Sequence, residues 1–193
     1  MEELLFFLNQ IATAEGWPLP AECSEYLRKI IKTATVKKED FLLRGGEVCR
    51  NLYFIKDGLL KCFYILHDQE VCDWFFGKSE TVVSIDSFYD QVIGPDFIQA
   101  LQDSVLFYIT HEELNYLYRN FIEFNVIGRV LTNKYLRIWH RQARNIRMLT
   151  AEERYKFLLE TQPELVNSIS VRDLASHLDM SRETLSRMRG RIH

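Results

Sequence analysis

At 193 residues, 47% hydrophobic and 26% charged, the chain has the size of one large domain or two small ones and the make-up of a globular protein. No apolar run reaches the roughly 18 residues a membrane helix needs, and the start Met1-Glu2-Glu3 is acidic where a secretory leader is basic, so a cytoplasmic protein is expected. The net charge of −3 conceals an asymmetry: from Lys134 onward stand 12 Lys+Arg against 7 Asp+Glu, a net of +5, which leaves −8 for residues 1–133. A basic end is what contact with phosphates requires.

Residues 3–14 carry Leu4, Leu5, Leu8, Ile11 and Ala12 at helical spacing, and Gly16-Trp17-Pro18-Leu19-Pro20 ends that pattern. A second helix is expected from Pro20 to about Thr33, with Leu27, Ile30 and Ile31 on one face. From Val36 the texture becomes short apolar runs at 41–43, 52–55, 59–65, 71–76, 81–83, 97–100 and 104–109. Turn residues separate them, among them Gly45-Gly46, Asp57-Gly58, His67-Asp68, Gly77-Lys78 and Gly94-Pro95. Such spacing predicts an antiparallel sandwich, jelly roll or barrel, with a short helix over 86–92.

Thr110-His111-Glu112-Glu113 has the form of a capping box and returns the chain to helix. Residues 122–148 contain no Pro, and the single Gly128 leaves the period intact, which permits a helix roughly 40 Å long. Its apolar stripe, Phe124, Ile127, Leu131, Tyr135 and Ile138, is expected to pair with a second copy of itself, because so long a helix needs a partner for an exposed stripe. The alternative is a helix lying across its own sheet.

The last 43 residues read as a separate helical unit. Thr150-Ala151-Glu152-Glu153 opens a helix that Pro163 is expected to stop, and Ser170-Val171-Arg172-Asp173 opens the next. Ser181 is placed to cap the last. A helix-turn-helix needs a small residue where the helices touch, apolar residues facing inward on both, and a left-handed residue in the turn. Ala175, then Leu174 and Leu178, then Leu185 and Met188 supply the packing, and Asp179 stands at the left-handed position, which it tolerates better than most residues. Outward, over residues 181–189, the last helix shows Arg182, Glu183 and Arg187 for base edges: Arg to guanine O6 and N7, Glu to cytosine N4. Ser170, Ser181, Thr184 and Ser186 suit phosphates.

Cys23, Cys49, Cys62 and Cys72 include no CxxC pair, and the five histidines show no HxH or HExxH spacing, so neither a metal site nor an iron–sulfur cluster is expected. An enzyme on a cupin-like roll needs converging His and Glu ligands, and His67 stands alone among the expected strands. No catalytic residue is assigned. A ligand-sensing or protein-interaction module that has lost DNA readout is the remaining competitor.

Leu174-Ala175, Leu178 and Ser181-Arg182-Glu183-Thr184-Leu185-Ser186-Arg187 resemble the signature of the CRP/FNR family of bacterial transcription regulators. Phe41-Leu42-Leu43-Arg44-Gly45-Gly46-Glu47 and Leu52-Tyr53-Phe54-Ile55-Lys56-Asp57-Gly58 look like the opening strands of that family's cyclic-nucleotide-binding-like β-roll, and Ala100-Leu101-Gln102-Asp103-Ser104 looks like its exit. The resemblance implies an α+β chain: a roll sensor domain over residues 1–121 with flanking helices, a dimerisation helix over 122–148 and a winged-helix-type helix-turn-helix domain over 149–193. It implies a homodimer on a palindromic site in double-stranded DNA, with RNA polymerase as a candidate further partner and no membrane. The family's cyclic AMP cassette, a Gly-Glu pair followed by Arg and Ser or Thr, is not matched: residues 81–100 hold no Arg, Lys or Glu, and Gly94-Pro95 stands where Arg-Ser would be. A cyclic phosphate would lack its countercharge, so cyclic AMP is not expected as the effector. An unknown small-molecule effector would sit among Trp74, Phe76, Ser84, Ser87 and Phe88, whose aromatics read more simply as core.

Overall fold

The structure is a computed structural model that describes residues 1–192; His193, the last residue of the expected DNA-binding unit, lies outside the described residues. Two helices open the chain, α1 (Glu2–Ala14) and α2 (Ala21–Ile30), burying Leu4, Leu5, Leu8 and Ala12 from the first and Cys23, Leu27 and Ile30 from the second. The second ends three residues before the expected Thr33. Ile31 is extended, and Lys32–Val36 forms β1, which pairs with a strand some seventy residues later. The β-branched residues Thr33, Thr35 and Val36 favour a pleated surface, but the partner that decides for strand is remote.

The strands β2 (Phe41–Leu43), β3 (Asn51–Asp57), β4 (Leu60–Leu66), β5 (Gln69–Phe76), β6 (Thr81–Val82), β7 (Phe97–Ala100) and β8 (Ser104–Thr110) follow the expected apolar runs. They make two antiparallel four-stranded sheets, in the orders β1-β8-β3-β6 and β2-β7-β4-β5. Short helix α3 (Ile85–Asp90) lies between β6 and β7, close to the expected place. Alternation along β3 turns Tyr53 and Ile55 inward, where they meet Cys62, Ile98 and Leu106 from other strands.

Thr110 closes a reciprocal capping box: the Glu113 amide donates to the Thr110 hydroxyl at 3.2 Å, and the Thr110 amide donates to the Glu113 carboxylate at 2.7 Å. Helix α4 (His111–Asn120) follows, then the long helix α5 (Ile122–Met148), over the span expected. Gly128 has a packing reason: a Cβ there would lie 2.6 Å from the Tyr118 hydroxyl of α4.

The start of the α5 stripe expected to meet a second copy is used inside the chain. Phe124 and Ile127 are buried in the main core with Leu4, Leu8 and Leu117, and Leu131 packs against the same cluster. The Tyr135 hydroxyl accepts from the Thr81 amide of β6 at 2.8 Å, and Ile138 lines a cleft with Trp74 and Leu158. Phe124 and Ile127 are therefore closed to a second copy, whereas Leu131, Tyr135 and Ile138 are half-buried and keep an open side. The helix does lie across its own domain, where Phe124 and Ile127 cover apolar surface left by α1 and the roll.

The last unit contains α6 (Ala151–Thr161), α7 (Pro163–Ser168), α8 (Val171–His177) and α9 (Arg182–Ile192). Pro163 does more than end a helix: at the first position of α7 it starts another, since its missing N–H has no partner to lose there. With α7 in the connection, no strand pairs in this unit among the described residues. The helix-turn-helix of the expected winged-helix-type domain is present there without wings. Its core of Tyr155, Leu158, Val166, Leu174, Leu185 and Met188 also takes in Leu59, Cys72 and Phe75 from the roll.

Candidate nucleic-acid interface

Helix α6 begins in a second reciprocal capping box at Thr150 and Glu153. Helix α8 begins at Ser170, whose hydroxyl accepts from the Asp173 amide at 3.1 Å; the Asp173 carboxylate does not return the bond, because it is engaged elsewhere. The turn is built as expected. Asp179 has φ 51, and the Met180 amide reaches back to the Ala175 carbonyl at 3.0 Å. The Ser181 hydroxyl then accepts from the Thr184 amide at 3.2 Å and so starts α9. Leu174, Ala175, Leu178, Leu185 and Met188 are all buried, so two short helices are locked at a fixed angle.

That locking decides what faces out. Arg182, Glu183, Ser186 and Arg187 are exposed, within an arc about 140° wide at 3.6 residues per turn, opposite Leu185 and Met188. Ser170 and Ser181 are exposed and Thr184 is half-buried. Glu183 folds back: hydrogen bonds from its own amide and from the Ser181 hydroxyl hold its carboxyl below the usual range, so it is ionised but turned toward the helix start. Arg189 is occupied, donating to the Val166 carbonyl of α7 at 3.0 Å.

Two contacts escaped the sequence reading. The Arg154 guanidinium of α6 donates to the carbonyls of Ile146 (3.3 Å), Leu149 (2.9 Å), Leu178 (2.9 Å) and Asp179 (2.9 Å), tying the end of α5 to the helix-turn-helix turn. Helix α8 also docks on the β4 and β5 hairpin. Lys61, 2% exposed, bonds Glu70 at 3.0 Å and Asp173 at 3.2 Å, and Arg172 bonds Glu70 at 2.8 Å. The Cys72 amide donates to the Ser176 hydroxyl, and His177 sits edge-on to Trp74 and Phe75 with Nδ1 at 3.1 Å from the Asp73 carbonyl. Burial pushes the His177 ring down to about 4, so it is neutral. The one signal for this junction was Lys61 inside the apolar run Leu59-Leu60-Lys61-Cys62-Phe63, a charge in a place that burial makes costly.

The five residues offered as an effector pocket are engaged within the chain, Trp74 beside Phe76 and both against the main core. Phe76 and Phe88 are buried in the main core; Trp74 is half-buried and turned toward His177. Ser84 and Ser87 are buried, with partners in their own chain: Ser84 donates to Asp96 at 2.5 Å, and Ser87 donates to the Val92 carbonyl and accepts from the Cys49 amide. At Gly94 a Cβ would lie 3.0 Å from the Cβ of Ser87, so an arginine there would be crowded. The Asp96 carboxylate, held by Ser84, is brought into this corner and repels a phosphate. All four cysteines are buried free thiols, and burial raises Cys62 and Cys72 far above the ordinary thiol range and Cys23 to about 11, which makes them unreactive. No group of three or more His, Cys, Asp or Glu able to hold a metal occurs among the described residues.

No family model and no curated protein matches the sequence. Solved structures do. FixK2 from Bradyrhizobium japonicum is similar at a TM-score of 0.73 and 18% identity, with 85% of each chain covered. A candidate transcriptional regulator of the CRP/FNR family from Eubacterium rectale gives 0.70 at 18% identity, covering 88% of this chain and 82% of that one. CLP of Xanthomonas campestris, described as a global regulator responsive to c-di-GMP, gives 0.67 at 19%, covering 90% and 91%. The likeness is one of fold: roll, long helix and helix-turn-helix stand in the order found in CRP/FNR regulators.

Proposed function

We propose that the chain is a non-enzymatic, dimeric transcription regulator that reads a palindromic DNA site with α9. The observation that carries this reading is the division of α9, whose Leu185 and Met188 anchor it on α8 while Arg182, Ser186 and Arg187 stand free on the opposite arc. Two free arginines near a helix N-terminus match the donor pattern that the major groove accepts. The phosphate contacts fall to Ser170, Ser181, Thr184 and Ser186.

The dimer forms through the face of α5 that the chain leaves uncovered. Leu136 is 61% exposed, and it borders a groove of ≈ 530 Å³ with Trp139, Thr132 and, from the roll, Ile85 and Tyr89. A second copy covers this apolar surface and sets the two α9 helices one helical turn of DNA apart, about 34 Å. The roll acts without cyclic AMP, since its cassette corner is closed by Ser84, Ser87 and Asp96. Helices among the described residues include none long and apolar enough to cross a membrane, in keeping with a DNA-binding role in the cytoplasm.

The test is selection from a randomised duplex library. A palindromic consensus is expected, with affinity falling steeply as salt rises. Arg182→Ala is expected to cost about 1–3 kcal/mol and to relax choice at one base pair per half-site. A library that returns no consensus defeats the reading, as does calorimetry that shows micromolar cyclic AMP binding for its effector part.

A further inference from the structure

The strongest charge on the surface does not lie on α9. Between Glu123 and Glu152 the chain has no Asp or Glu, and over fourteen residues of α5 stand Lys134, Arg137, His140, Arg141, Arg144 and Arg147. All six are exposed. The ion pairs of the described residues engage none of these four arginines. Arg137, Arg144 and Arg147 lie on the side of α5 away from the stripe of Phe124, Ile127 and Tyr135, Arg141 stands at its edge beside the cleft that Ile138 lines, and Arg137, Arg141 and Arg144 border an open groove of ≈ 530 Å³ with Met148 and Leu149. Steps of three and four residues space them by about 5 Å along the axis, so the row presents a line of charge rather than one point. Lys134 faces the Tyr135 ring and the Glu80 carboxylate, but the four arginines after it close no ion pair among the described residues.

The row is continuous with the base-reading helix. Arg154 holds the carbonyls of Ile146 and Leu149, at the end of α5, and those of Leu178 and Asp179, in the turn before α9, on a single guanidinium. The end of α5 that carries Arg144 and Arg147 is therefore tied to the turn that leads into Ser181 and the N-terminus of α9, the end that enters the groove in helix-turn-helix proteins. We propose that the basic row of α5 is a second DNA-contacting surface, which binds the phosphates of duplex flanking the base-read half-site. This rests on the DNA-reading function proposed above. It assigns to α5 a role separate from the dimer contact, on another face of the same helix. Its contribution is independent of sequence: it lengthens the footprint and raises affinity for long duplex without changing the consensus.

The test uses the full chain, the variant Arg137→Gln/Arg141→Gln/Arg144→Gln, and two duplexes: the selected site alone, and the same site with about 10 bp more on each side, one further helical turn. Glutamine keeps helix propensity and the positions are exposed, so the fold is retained; circular dichroism and the oligomeric state check this. Wild type is expected to bind the longer duplex more tightly. The variant loses that advantage, keeps the consensus, and has a slope of log affinity against log salt that is shallower by about 0.9 for each phosphate released, up to about 5 for a dimer. If the variant matches wild type on both duplexes while Arg182→Ala weakens binding, the α5 surface is refuted and base reading stands. If no duplex shows sequence preference but the variant removes salt-sensitive binding, base reading is refuted and the α5 surface stands. If wild type binds vesicles of anionic lipid and no duplex, both are refuted.

Discussion

Lys61 on β4 and Asp173 on α8 are 112 residues apart in sequence and joined by a buried ion pair of 3.2 Å. The pair fixes the first helix of the helix-turn-helix to the hairpin of the roll, and Glu70 and Arg172 complete a network in which each charge has an opposite neighbour. Buried pairs of this kind gain little over apolar packing, but breaking one strands a charge. Lys61→Met is therefore expected to lower stability by about 3 kcal/mol or more. The double variant Lys61→Met/Asp173→Leu is expected to recover most of that loss. Denaturant midpoints decide, and a double variant as weak as the single would show that the network holds more than charge balance.

His177 makes the same junction sensitive to acid. Burial places its ring near 4, below the ordinary 6.5. On acidification the unfolded chain takes up a proton between these values that the folded chain refuses. Stability is thus fully present above about 6.5 and is lost as the pH falls toward 4. Unfolding free energy compared at pH 7 and pH 5 should show a drop that His177→Gln reduces.

Asp179 holds the turn at φ 51, a conformation that costs a residue with a Cβ roughly 1 kcal/mol. Asp179→Gly is expected to raise the melting temperature by a few degrees, and Asp179→Val to lower it by more, since a β-branched residue fits that region worst. Thermal unfolding of the two variants side by side measures the strain.

Leu136 is exposed on α5 and borders one groove with the half-buried Trp139, Leu131 and Tyr135, whereas Ile127 is buried. Leu136→Glu is expected to give a folded monomer by sedimentation, with unchanged helix content. Ile127→Glu instead should unfold the chain, because that side chain is 1% exposed inside its own core. A dimer that survives Leu136→Glu places the contact elsewhere.

Much of this protein was legible from short-range signals. The capping residues at Thr110 and Thr150, the inward set of Leu174, Ala175, Leu178, Leu185 and Met188, and the left-handed Asp179 each depend on neighbours within a turn or two, and each is realised. The exposure of Arg182 and Arg187 followed from the same period. The strands were legible as apolar runs between turns. The end of α2 was not, because β1 exists through pairing with β8.

What the sequence determined by itself was the kind of fold, the helix-turn-helix with its outward arginines, and the want of a countercharge in residues 81–100. Those properties are set by spacing along one helix or by the presence of a residue type. The tertiary structure alone decided which residues of α5 are consumed within the protomer, that Lys61 meets Asp173, that Ser84 is closed against Asp96 and Ser87 against Val92, and that Arg154 ties the end of α5 to the turn before α9. A helix period says that a stripe will be buried, but not against what. The partner is chosen by surfaces brought together from distant parts of the chain, and no local pattern records it.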